Sequence, residues 1–114
     1  MNLKELSQTL PLVVRTTSAP LTMEITGGYA SDLLSCVMGR AKAGNVWVTL
    51  QSHPNVVAVA SLLNLAGVII AEGAEPDPAT LQKAEQEGVA ILTTSLTTFA
   101  LVGRLYGLGV DGTE

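Results

Sequence analysis

Charge is scarce in this sequence. Only 14% of its 114 residues are charged, six basic and ten acidic, where a soluble domain usually carries about a quarter. The few Lys and Arg residues are scattered and the net charge is −4. Wrapping a nucleic-acid backbone needs clustered cations, so that class of partner is excluded. Cysteine occurs once, at Cys36, which excludes a disulfide framework and a zinc set. Histidine also occurs once, at His53, so no metal site built on paired histidines is expected. Long apolar runs are missing as well. The best stretch, residues 56–71, is broken by Ser61, Asn64 and Gly67, and it falls short of the roughly 20 residues that span a bilayer. Residues 1–10 are polar and amphipathic, with none of the apolar core of a secretory leader. The expectation is a cytoplasmic protein without nucleic-acid or membrane partners.

What the chain does have is apolar side chains, 47% of the total. At this length they suit one domain over residues 1–114. A folded monomer of this size exposes roughly 6,000 Å², and 16 charged side chains (six plus ten) are few to cover it. A standard interface hides roughly 800 Å² per partner. Self-association into a homodimer is the simplest remedy, since no other chain need be invoked.

The pattern along the chain alternates strand and helix, predicting an α/β fold: a mostly parallel, three-layer-like sheet with helices on both faces. Leu3, Leu6 and Leu10 share one face of a first helix. Residues 12–15 read as a strand, residues 16–22 as the loosest stretch, and residues 23–25 as a second short strand. Thr26, Gly27 and Gly28 then read as a turn into a helix over residues 31–41. Ser31 is its expected N-cap, Leu33, Leu34, Val37 and Met38 its apolar face, and Gly44 its stop. Strands follow at residues 45–50, 67–71 and 89–92. Helices follow at residues 55–65, 79–87 and 96–108, the second opened by Asp77-Pro78. Residues 109–114 read as a frayed tail.

In open α/β sheets, ligands sit beyond the carboxyl ends of the strands. Four loops are expected there, contributing Thr26, Gly27, Gly28 and Ser31; Thr49, Gln51, His53 and Asn55; Glu72 and Gly73; and Thr93, Thr94, Ser95 and Thr97. Hydroxyl and amide side chains, with backbone N–H groups at helix starts, suit a small anion, metabolite or nucleotide. The Gly27-Gly28 pair reads either as an anion cradle or as a tight turn with no ligand. It lacks the spacing of a dinucleotide or P-loop motif. His53 is read as a cap or surface residue, Cys36 and Trp47 as core, and Glu72 and Glu75 as a solvated acidic rim. Ser95 or Thr97 as a nucleophile would need a base, and only His53 is available. No catalytic residue, metal or resident cofactor is expected.

Glu24-Ile25-Thr26-Gly27-Gly28 resembles the motif that names the DRTGG domain family. Residues 27–35, 71–77 and 91–99 are similar to its small stand-alone members. Glu24 and Ile25 depart from the Asp and Arg of the motif, which removes the positive charge there. The resemblance carries over to Thr26, Gly27 and Gly28 alone, as a structural turn or ligand loop. It implies a fold like the N-terminal domain of HPr kinase/phosphorylase. It also implies a role as an accessory module, as in phosphotransacetylases and in pyrophosphatases with CBS domains, where such domains help form the dimer interface near a nucleotide-binding region. The resulting expectation is a non-catalytic regulatory or small-ligand-binding homodimer. The alternative is an adaptor for a separately encoded partner enzyme, and the last is an enzyme built on His53.

Overall fold

The computed structural model describes residues 1–113. Five strands form one sheet in the order β1 (Val13–Val14), β5 (Ile91–Thr93), β4 (Gly67–Ile70), β3 (Asn45–Thr49), β2 (Gly27–Ala30). β2 to β5 are parallel, while β1 runs antiparallel to β5 with Val13 opposite Thr93. All five residues of β3 are buried. Side chains alternate across a strand, so β3 feeds two cores at once. Val46 and Val48 join Ile69, Leu92 and helices α1 (Leu3–Thr9) and α5 (Thr98–Gly107) on one face. Trp47 joins Val68, Ile70, Ile91 and helices α2 (Leu34–Arg40), α3 (Asn55–Leu63) and α4 (Pro78–Glu87) on the other. This is the mixed α/β sheet expected from the unbroken apolar strands. The indole N–H of Trp47, fully buried, donates to the Ser31 carbonyl at 2.8 Å.

Local chemistry explains most helix ends. Asn2 and Glu5 form a reciprocal capping box at the start of α1. Pro78 occupies the first turn of α4, and Gly88 closes it with φ +69°. The Thr97 hydroxyl accepts the Ala100 N–H, so α5 begins at Thr98 rather than at residue 96.

Three expectations around β2 are corrected. Residues 23–25 form no strand, and Gly27-Gly28 is not a turn but the first half of β2. Neither glycine has a positive φ. Their reason is contact with the chain's own end. A Cβ on Gly27 would stand 3.1 Å from the Asp111 carbonyl oxygen, and one on Gly28 would stand 3.3 Å from a Val110 methyl. The stretch expected to fray is docked as far as Thr113, and Glu114 lies outside the described residues. Gly28 N–H donates to Asp111 O at 2.8 Å, and Thr113 N–H donates to Gly28 O at 3.0 Å, a parallel bridge along the free edge of β2. The third correction is Ser31. Its hydroxyl accepts the Leu33 N–H at 3.1 Å, and the N-cap position of α2 falls on Leu33 without a side-chain bond. Val37 is buried as expected, but Leu33 and Met38 are exposed.

The loose segment before β2 is pinned by one carboxylate. Glu85 on α4 accepts the N–H and O–H groups of both Thr17 and Ser18, at 2.5 to 3.1 Å. The Thr17 hydroxyl, followed by the Ser18 and Thr17 amides, pulls its pKa from 4.5 down to about 2. A folded-state pKa below the unfolded value stabilises the fold above pH 4.5, and that contribution fades as pH falls toward 2. Glu85→Gln should therefore lower Tm at pH 7, and the gap to wild type should close between pH 4.5 and 2 in a thermal melt series. Gly28→Val should push Val110 off β2. The expected cost is about 1–3 kcal/mol by denaturant titration, with faster exchange of the Gly28 amide proton.

Candidate functional site

The connections leaving β4 and β5 diverge, one to α4 and the other to α5 on the opposite face. Such a divergence opens a crevice at the carboxyl ends of parallel strands. Beside it, toward β1, lies a cavity of about 440 Å³. Leu12 and Val13 form one wall, Gly73 and Glu75 a second, and Thr93, Thr94 and Ser95 the floor at the end of β5. Of the residues expected to bind a ligand, Gly73, Thr93, Thr94 and Ser95 are thus brought together.

Internal hydrogen bonds hold this region. Glu72 N–H donates to Leu96 O at 2.8 Å, and Gly73 N–H donates to Thr94 O at 2.9 Å. Both residues take positive φ, +62° at Glu72 and +73° at Gly73, which makes the sharp turn that brings the two loops together. The Glu72 carboxylate then accepts the Thr98 N–H at 3.2 Å and its hydroxyl at 2.9 Å. A helix N-terminus attracts anions, and here α5 holds an anion from its own chain. The Thr94 hydroxyl donates to Pro11 O at 2.9 Å and accepts the Leu96 N–H at 3.2 Å.

At the rim, the Arg15 guanidinium grips Glu75 with two parallel bonds, Nη1 to Oε2 at 3.0 Å and Nη2 to Oε1. The pairing lowers the Glu75 pKa and raises that of Arg15. Glu75 is therefore not a free acidic rim, and Glu72 is a helix cap. The sequence carried no signal for Arg15 as part of this site, because its partner is 60 positions away.

The other expected residues do not converge here. Thr26 lies at the amino end of β2, where its hydroxyl donates to Ala43 O at 2.8 Å and accepts Asn45 Nδ2 at 3.1 Å. Gly27 and Gly28 meet the tail. Beyond β3, the Thr49 hydroxyl donates to Asp32 Oδ1 at 2.8 Å and accepts the Gln51 N–H at 3.1 Å. Gln51 Nε2 donates to Asp32 O at 3.0 Å. Asp32 also accepts the Leu50 N–H at 2.7 Å, a clamp that sequence reasoning missed although Asp32 sits in a loop it singled out. His53 Nδ1 accepts the Asn55 N–H at 3.1 Å, so His53 and Asn55 together start α3. Thr97 is occupied as the α5 cap. Among the described residues, no three His, Cys, Asp or Glu side chains gather as a metal site, and no helix is long and apolar enough to cross a membrane.

Glu72→Ala should uncap α5 and destabilise the fold by about 1 kcal/mol. Glu72→Gly should cost less, because glycine accepts the positive φ that the turn demands. Urea unfolding of the two variants side by side checks the order.

Comparison with known proteins fits this architecture. The family model described as DRTGG domain matches residues 25–108. Among solved structures, the chain is similar to the CBS and DRTGG domains of the regulatory region of Clostridium perfringens pyrophosphatase, complexed with the activator diadenosine tetraphosphate. The TM-score is 0.67 at 13% identity, a likeness of fold. It covers 89% of this chain and 44% of that one, so this chain spans less than half of its length. No curated protein matches the sequence.

Proposed function

The chain belongs to the DRTGG domain family, and from that premise we propose that it is a non-catalytic regulatory module that binds a small ligand and forms a homodimer. The cavity of about 440 Å³ beside the β4 and β5 loops carries the ligand-binding part of this reading. It sits where parallel α/β sheets take their ligands, and it joins buried threonine hydroxyls to a rim holding the Arg15 fork. A guanidinium matches phosphate and carboxylate oxygens in pairs. A small anionic metabolite or nucleotide can replace Glu75 on Arg15 and so loosen the loop from β4 to α4. That exchange converts ligand binding into a change of loop position. The non-catalytic part is supported by the engagement of His53 Nδ1 in the turn before α3 and of Thr97 as the cap of α5, which leaves Ser95 without a base the structure assigns to it.

The Clostridium perfringens region was solved with diadenosine tetraphosphate, which makes adenine nucleotides the first ligands to test. A thermal-shift panel should include that compound, mononucleotides, acyl phosphates and central metabolites. A ligand at a hundredfold excess over its Kd stabilises by about 2.7 kcal/mol, several degrees in Tm at this size. The expected outcome is a saturating shift that Arg15→Ala abolishes and His53→Ala keeps. No shift across the panel overturns ligand binding and favours the adaptor reading, for which the exposed apolar side chains of α5 are the supporting observation.

A further inference from the structure

The outer face of α5 gathers three exposed large apolar side chains. Phe99 is 81% exposed, Tyr106 69% and Val102 39%. At 100° per residue, Val102, Gly103 and Tyr106 all fall within about 60° of Phe99. Arg104, the one charged residue of α5, stands about 140° away. Gly103 and Gly107 lie one helical turn apart, and a Cβ on either would meet nothing within 4 Å. Mid-helix glycine disfavours a helix relative to alanine, and nothing inside this chain requires it at Gly103. Beside the stripe is a second cavity of about 430 Å³, between α5, the free edge of β2 and the docked tail. Tyr29, Ala30, Val102, Tyr106, Val110 and Asp111 are among the residues that line it.

We propose that this face is where two copies of the chain meet, α5 against α5, with Phe99 of each copy entering the cavity beside α5 of the other. The proposal rests on the homodimer reading above and adds its location. Projection and recess lie on the same surface and share Val102 and Tyr106, which is what a two-fold contact of one patch with itself requires. The charge pattern is compatible with a second copy. A patch that meets itself brings its charges against like charges; none of the ten acidic residues lies on the α5 stripe itself, and Asp111 in the cavity lining is the one acid that the two copies must keep apart. The area is sufficient as well. Two aromatic rings hide on the order of 300 Å² per copy, and the glycine ridge and cavity rim extend this toward the roughly 800 Å² per partner of a standard interface. The glycines let the two helix backbones approach closely.

Sedimentation velocity and equilibrium on the full chain test the proposal. The expected result is a dimer at micromolar concentration, with Phe99→Glu and Gly103→Leu each weakening association at least tenfold while circular dichroism is unchanged. Gly103→Leu adds a side chain into open space, so it keeps the test decisive if Phe99→Glu does not fold. Leu62→Glu, an equally exposed position on α3 across the sheet, should leave the dimer intact. A wild-type dimer indifferent to both α5 substitutions overturns this surface and leaves the homodimer reading standing. A wild-type monomer at about 100 µM, well above the Kd range of specific association, overturns both.

Discussion

The rest of the molecule is arranged around the burial of β3 on both faces. A strand with Val46, Trp47 and Val48 in succession leaves no side for water, so a layer of helices must cover each face. The two polar residues at its ends carry the consequences. Asn45, almost fully buried, accepts the Lys42 N–H at 2.9 Å and the Thr113 hydroxyl on Oδ1, and donates to Thr26 from Nδ2. It ties the turn before β3, the start of β2 and the chain's end into one knot. Thr49, at the other end and equally buried, anchors Asp32 and Gln51. The polar groups of the buried strand are satisfied by the segments that flank it, as burial demands.

The same economy governs the carboxyl end of the sheet. A helix start and a crevice between diverging loops invite an anion, and the chain supplies its own: Glu72 on α5, and Glu75 on Arg15. Under the proposed function, a ligand at this place would have to displace a resident carboxylate, which would couple affinity to conformation. The hydroxyls of Thr94 and Thr97 and the Nδ1 of His53 are bound within the fold in the same way.

The two edges of the sheet carry different recesses. The edge next to β1 carries the cavity with the charged rim, and the edge at β2 carries the apolar one under α5. The tail joins the second edge because Gly27 and Gly28 leave room for Val110 and Asp111. The glycines thus serve a close backbone approach, and α5, the tail and β2 form one continuous surface.

The sequence by itself determined the alternation of elements, the class of sheet and the ends of α4. These depend on local rules that need no partner: unbroken apolar runs in β3 and β4, and proline and glycine at the ends of α4. It also determined the shortage of surface charge, which is a sum over residues. Only the tertiary structure decided what the polar residues do. The Gly27-Gly28 pair read as a turn because its neighbour, the tail, is over 80 positions away in the chain. Arg15 carried no signal because Glu75 reaches it only after β1, β5 and β4 have aligned. Glu72 and Glu75 read as solvated acids because a carboxylate's partner is set by folding and not by spacing. Hydrophobic period is written along the chain, whereas the pairing of a hydroxyl, amide or charge is settled by which segments the packed sheet brings side by side.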